Sequence, residues 1–276
     1  MDEGGGRSTS LYLLAGFLGL FTLLTVAGFM MGWRTEVVTH EGEGIDGVIT
    51  YLLWTTGALV VIGHVVLIWF LWKYTSGKAA AYNRPNKRTQ LIWGMLPVVV
   101  LLLVSEGGVL AVATPVWKSL YIDQPKDPFL VEVVGKQFEW YVRYPGPDGK
   151  FGKVDFKEVD AVENQIGLLD SDDAGLDDIV KNGVLTIPKG RPCVIRLRTQ
   201  DVIHSFFVPQ FRVKQDLISG FPTRIKFTPL KAGEYELACA ELCGLGHYNM
   251  KGKVVVKEPA DFEAWLAKQE PFYGIE

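Results

Sequence analysis

The sequence predicts a membrane-anchored chain in which N-terminal transmembrane helices precede an all-β domain. Three observations carry this. Up to Trp117 the chain holds three apolar runs, each long enough to cross a bilayer. From Pro128 onward, short runs rich in Val, Phe, Trp and Tyr alternate with turns containing Gly or Pro. The second part also holds one dense group of soft metal ligands, between Cys239 and Met250. The averages over 276 residues, 48% hydrophobic and 21% charged, conceal the division.

The apolar runs come first. Ser8 to Trp33 contains no residue of fixed charge, Gly47 to Trp72 none besides His64, and Thr89 to Trp117 only Glu106. Each exceeds the ~20 residues that a helix needs to span hydrocarbon. The first run has the position of a signal peptide, but its apolar core is long for one. The segment before it sets one Arg against one Asp and one Glu, so a retained helix is expected. Lys73, Lys78, Arg84, Lys87 and Arg88 lie between the second and third runs without an acidic residue, which puts that loop in the cytoplasm. Glu36, Glu41, Glu43 and Asp46 suit the outer side. The N-terminus is then inside and everything after Trp117 outside, which in a bacterium means an inner-membrane protein with a periplasmic domain. The expected segments are residues 1–46, a helical hairpin over 47–117, and an outer domain over 118–276.

Glu106 and His64 are costly in hydrocarbon and must face protein or water. A proton path is one reading. The plainer one, preferred here, is a neutral, hydrogen-bonded side chain facing a partner subunit.

The outer domain reads as strands at Phe129–Val134, Gln137–Tyr144, Val184–Pro188, Cys193–Arg198, Arg224–Thr228, Glu234–Cys239 and Gly252–Lys257. Short strands with intervening turns predict an antiparallel sandwich or barrel. A terminal helix is expected over Glu258–Gln269, with Phe262, Trp265 and Leu266 on one side. An insertion at about 150–183 carries Asp170, Asp172, Asp173, Asp177 and Asp178. A docking surface for a basic electron carrier is one reading of it. A solvated loop is the preferred one.

The chemistry is concentrated in Cys239-Ala-Glu-Leu-Cys243-Gly-Leu-Gly-His247-Tyr-Asn-Met250, with His204 upstream. Soft sulfur with imidazole suits copper or zinc, and the thioether favours copper, for which it is a common weak axial ligand. A single blue-copper site needs one Cys, and here there are two. Two thiolates can bridge two coppers, with one His on each, Met250 capping one and a backbone carbonyl the other. A Cys239–Cys243 disulfide would leave His204, His247 and Met250 unexplained, and a Cys2His2 zinc site would leave Met250 unused. The C-x-x-x-C spacing excludes the C-x-x-C-H attachment of haem c. Cys193 reads as a buried strand residue. His40 and His64 are not assigned to the metal. Three cysteines cannot form a disulfide framework. A net charge of −3 without basic runs excludes nucleic acid as a partner.

Cys-x-Glu-x-Cys-Gly-x-x-His-x-x-Met, with Asp201-Val-Ile-His204-Ser upstream, resembles the binuclear copper (CuA) domain of the cytochrome c oxidase subunit II family. The likeness extends through Val208-Pro209, Lys214-Gln-Asp216, Gly220, Gly135-Lys-Gln-Phe-Glu-Trp140 and Ile92-Trp93-Gly-Met-Leu-Pro97. It implies a cupredoxin-like β-barrel on a helical anchor. It implies that Cys239 and Cys243 bridge two coppers, that His204 and His247 are terminal ligands, and that Met250 and the Glu241 carbonyl are axial. The Glu241 side chain would reach magnesium at the boundary with subunit I. The family usually has Trp where Phe138 stands, a position linked to electron uptake from cytochrome c, so Phe138 and Trp140 are the uptake candidates. It often has Glu at the position of Gln90, near a proton channel. Gln carries no proton charge, which implies that proton uptake begins elsewhere.

The implied role is electron relay from a cytochrome c or a cytochrome c-bearing donor complex to haem in subunit I, for oxygen reduction with proton translocation. No haem motif follows the barrel, so the donor is expected to be separate. The small subunit of a nitric oxide reductase that has acquired CuA is the alternative, since the difference would lie in the partner. A quinol oxidase subunit lacks copper ligands that are present here. A copper chaperone would expose its ligands rather than set them between strands.

Overall fold

The computed structural model describes residues 3–74 and 84–274, with side chains from residue 9 on. Asp2 and Lys78 of the charge argument lie outside the described residues. The chain divides into two compact units, one of residues 1–34 and 46–115 and one of 35–45 and 116–276.

The first unit is helical. Helix α1 runs over Glu3–Met30 and α2 over His40–Tyr74, the latter beginning in the second unit. Glu41 and Glu43 sit in the first turn of α2 and Lys73 in its last, each at the end its charge favours. Asn86 caps α3 (Lys87–Val100), its Oδ1 accepting from the Thr89 amide at 2.9 Å. Pro97 removes a donor inside α3, and the helix then widens to π geometry over Leu101–Gly107 before α4 (Gly108–Trp117) resumes. Tyr51 of α2 donates to the Val104 carbonyl within that widened stretch at 2.5 Å. A Cβ on Gly108 would fall 1.7 Å from the Tyr51 hydroxyl, so this close approach requires glycine. Three stretches are long and apolar enough to cross a membrane: Thr9–Met30, His40–Tyr74 and Lys87–Ile122, with mean hydropathies of 2.1, 2.0 and 2.3.

The second unit is two five-stranded sheets. The strands are β1 Phe129–Lys136, β2 Glu139–Tyr144, β3 Ile179–Asn182, β4 Val184–Pro188, β5 Cys193–Thr199, β6 His204–Val208, β7 Val213–Leu217, β8 Thr223–Phe227, β9 Gly233–Cys239 and β10 Lys251–Lys257. One sheet has the order β3-β2-β1-β5-β8, the other β4-β10-β9-β6-β7. Two pairings, β1 with β5 and β10 with β4, are parallel, so the fully antiparallel expectation needs correction. Alternation along a strand shows which face is buried but not which direction its neighbour runs. Strands β3, β6 and β7 were not anticipated. Polar residues interrupt β7 (Val-Lys-Gln-Asp-Leu), and the adjacent Ser and His of β6 are themselves buried.

Between the sheets lies one core containing Val131, Val133, Trp140, Val142, Tyr144, Ile187, Ile195, Phe206, Leu237 and Val254. Helix α5 (Pro259–Leu266) closes one end. Phe262 meets Phe129 edge-on at 5.0 Å and Trp265 meets Tyr144 at 5.4 Å. Residues before α2 and in its first turn belong to this unit: Val38 is in the core, and the Glu41 carboxylate accepts from the Thr228 amide at 2.7 Å.

The insertion corrects the solvated-loop expectation. Ile166 and Leu168 are buried with Val134 and Tyr141 in a second apolar cluster, flanked by Phe272 and Tyr273. Asp178 is fully buried and pairs with Arg143 at 3.1 Å, while Arg143 contacts buried Glu132 at 2.8 Å. Asp178 also accepts from the Gly152 amide at 2.9 Å. One aspartate of the acidic group therefore fastens the insertion to β1 and β2. Composition alone made the segment look hydrated because its apolar anchors are few.

Candidate metal centre

The first ligand follows from a turn. After β5 the chain bends through Gln200-Asp201-Val202-Ile203, and His204 opens β6, fully buried. Asp201 reaches forward so that its Oδ1 meets His204 Nε2 at 2.8 Å. A carboxylate accepts, so Nε2 carries the proton and Nδ1 is left with a lone pair. Asp201 is itself held by the Gln137 amide, which donates to Oδ2 at 2.7 Å. Burial opposes its charge, but the amides of Gln137 and Val202 and the His204 contact outweigh it and hold the carboxyl below the usual range. Burial likewise works against the His204 cation, yet contacts with Cys239 and Asp201 raise its pKa.

The other ligands come from the end of β9 and the loop to β10. Cys239 is the last residue of β9 and its amide bonds to the Met250 carbonyl, which closes the loop. Cys239 Sγ lies 3.8 Å from Cys243 Sγ and 3.9 Å from His204 Nδ1. It donates to the Glu241 carbonyl at 3.2 Å. Cys243 Sγ lies 3.6 Å from His247 Nδ1 and 3.7 Å from Met250 Sδ. Each thiol thus faces its own imidazole, with one further weak donor beside each. The sulfur separation is well beyond the ~2.05 Å of a disulfide, and the cysteines are free.

The thiols titrate as a pair. Burial raises the Cys239 pKa, but its contacts with His204, Glu241 and Ser205 prevail and bring it down to about 6. Burial and the neighbouring Cys239 charge push Cys243 up to about 11. The first proton leaves easily, and the second must be displaced, as a cation of high charge does on binding. His204, Cys239 and Cys243 together form a group able to hold a metal ion, and the mixture of sulfur and imidazole fits copper.

Phe138 is half-buried and lies directly on the loop: a Cβ on Gly246 would fall 2.6 Å from its ring. Trp140 is fully buried and meets His204 edge-on, ring centres 6.2 Å apart. Gln137 donates to the Cys243 carbonyl at 2.5 Å. The Glu241 side chain is exposed. Away from this centre, His64 Nδ1 bonds to the Val60 carbonyl at 2.8 Å, Glu106 lies in the π-helical stretch, and the Gln90 side chain donates to the Pro85 carbonyl at 3.0 Å. Asp201 and Gln137 both lie in the motifs quoted from the sequence, but their supporting contacts to His204 and to the Cys243 carbonyl emerge only in the fold. The one local signal was an acid three residues before a histidine.

A family model for the periplasmic domain of cytochrome c oxidase subunit II matches residues 129–258. The alternative cytochrome c oxidase subunit 2 of Bradyrhizobium diazoefficiens is 37% identical over 90% of this chain and 87% of its own. A probable cytochrome c oxidase subunit 2 of Streptomyces avermitilis is 32% identical over 78% of this chain and 73% of its own. The crystal structure of the periplasmic domain of cytochrome oxidase subunit II of Bradyrhizobium japonicum aligns at 27% identity and a TM-score of 0.38, covering 52% of this chain and 94% of that one. With two relatives above 30% identity along most of both chains, and the matched region holding every residue of the sulfur and imidazole cluster, the chain belongs to the cytochrome c oxidase subunit II family.

Proposed function

We propose that this chain is the electron relay of a haem-copper oxidase, passing electrons from an external cytochrome c-type donor through a binuclear copper centre to haem in subunit I, for oxygen reduction coupled to proton translocation. One observation carries the reading: two adjacent thiols, each facing a separate imidazole Nδ1 and each with a further weak donor, Met250 Sδ or the Glu241 carbonyl. A mononuclear site has no use for the second thiol. Two coppers bridged by the thiolates would share one electron and reorganise little on transfer.

The residues around the cluster serve that task. Asp201 fixes the tautomer of His204, and Gln137 ties the turn before β2 to the Cys243 carbonyl. The cysteines and Met250 are buried, which excludes water from the sulfur atoms, while His247 keeps partial exposure. Leu242, Leu245 and Tyr248 project from the same loop, Leu245 at 98% exposure, an apolar face suited to contact with another protein. Phe138, half-buried against Gly244 and Gly246 of that loop, is the proposed point of electron uptake, with Trp140, edge-on to His204, as the second candidate. Glu241, with its side chain outward, is the proposed link to magnesium at the subunit I boundary. The three spans are proposed to cross the inner membrane with the N-terminus inside, and His64, Glu106 and Gln90 to face partner protein or a proton route.

In the assembled complex, Cys243→Ser is expected to abolish haem reduction by the external donor while a small-molecule reductant still reduces the haem. Donor-driven reduction at the wild-type rate would overturn the relay.

A further inference from the structure

Helices α1 and α2 leave a cleft of about 650 Å³ between them within the first unit. Phe21, Val26 and Phe29 of α1 line one side, Leu53, Trp54 and Val61 of α2 the other. The threonines nearby do not make it polar, because Thr22, Thr25 and Thr56 each bond to a carbonyl of their own helix. A single cation marks one end: Arg34, exposed, donates to Thr50 Oγ1 at 3.2 Å.

We infer that this cleft holds one acyl chain of an anionic phospholipid, with the headgroup phosphate against Arg34. The inference rests on the three-span topology proposed above. Length separates the occupants. From Thr50 to Val61 along α2 is roughly 17 Å at ~1.5 Å per residue. Half of a hydrocarbon core of about 30 Å is about 15 Å. The cleft therefore runs through one leaflet, where a partner's transmembrane helix would need a groove of twice that length. Charge separates the lipid classes. Arg34 lies beyond the end of the Thr9–Met30 span, at headgroup level, where a guanidinium makes paired hydrogen bonds to a phosphate. The topology puts that end in the outer leaflet.

The test is native mass spectrometry of the detergent-purified oxidase complex, back-loaded with phosphatidylglycerol or phosphatidylcholine. Three variants are compared with wild type: Arg34→Gln, Arg34→Lys and Gly57→Phe. Gly57 lines the cleft and a Cβ there meets nothing within 4 Å, so a large side chain at this position is expected to occupy the cleft. Wild type is expected to retain phosphatidylglycerol about fivefold better than phosphatidylcholine, the worth of ~1 kcal/mol for one cation near the surface. Arg34→Gln should erase that preference, Arg34→Lys should keep most of it, and Gly57→Phe should release both lipids. Equal retention by wild type and Gly57→Phe, no headgroup preference, or a co-purifying quinone in place of lipid would each overturn the inference. Modification of Arg34→Cys by a membrane-impermeant maleimide in spheroplasts reports the topology separately. If that site is reached from outside and the lipid results fail, the cleft assignment is wrong. If it is not reached, the topology is wrong.

Discussion

Asp201 settles which nitrogen of His204 is left to bind a metal, and it does so from outside the ligand set. Its carboxylate occupies Nε2 at 2.8 Å, which turns Nδ1 toward Cys239. Partners of this kind typically contribute 10–100-fold in metal affinity. Asp201→Ala is expected to weaken copper binding by about that factor in a chelator competition while leaving the far-ultraviolet circular dichroism unchanged. Unchanged affinity would show that packing alone fixes the imidazole. Much of the centre could be read from the order of residues, because Cys239, Cys243, His247 and Met250 share one short loop and their types announce soft-metal chemistry. What could not be read is the arrangement of their partners. Gln137 sits over a hundred residues from the carbonyl it supports, and only the return of β6 beside β9 brings His204 to the thiols.

The insertion is the element where sequence and structure part. Its aspartates suggested a hydrated loop, yet Asp178 is buried against Arg143 and the Gly152 amide. Burial dominates its titration and lifts the carboxyl to about 6, although Gly152 and Arg143 pull the other way. A carboxyl raised above its unfolded value of 3.8 contributes stability that is fully present below that value and is lost as pH rises through about 6. The outer domain should therefore gain thermal stability as pH falls from 7.5 to 5, and Asp178→Asn should lack that part of the gain. The unfolding midpoint of both chains, followed by Trp fluorescence at the two pH values, makes the comparison. Identical pH responses would mean that Asp178 stays charged throughout. Strand elements with clean alternation, such as β5 with its buried Cys193, Ile195 and Leu197, were legible. The parallel pairings of β1 with β5 and β10 with β4 were not, since they depend on where distant strands return.

At the scale of the whole molecule, a helical anchor and a β domain divide the work: one carries the three stretches able to cross a bilayer, the other the His204, Cys239 and Cys243 group able to hold a metal ion. Basic residues between α2 and α3, and acidic ones from Glu36 to Asp46 around the start of α2, predict that the β domain is outside. Arg84→Cys should react with an impermeant maleimide only after spheroplasts are opened, and Lys150→Cys, in an exposed loop of the β domain, in intact spheroplasts. The reverse pattern would invert the topology and remove any route from a periplasmic donor. The central claim remains the number of metal ions between Cys239 and Cys243. Copper should be counted in the purified full-length chain while its electron paramagnetic resonance spectrum is recorded. Two coppers per chain, with hyperfine splitting from two equivalent nuclei carrying one shared electron, is the expected result. One copper with single-nucleus splitting, or a zinc ion in its place, would contradict the binuclear relay.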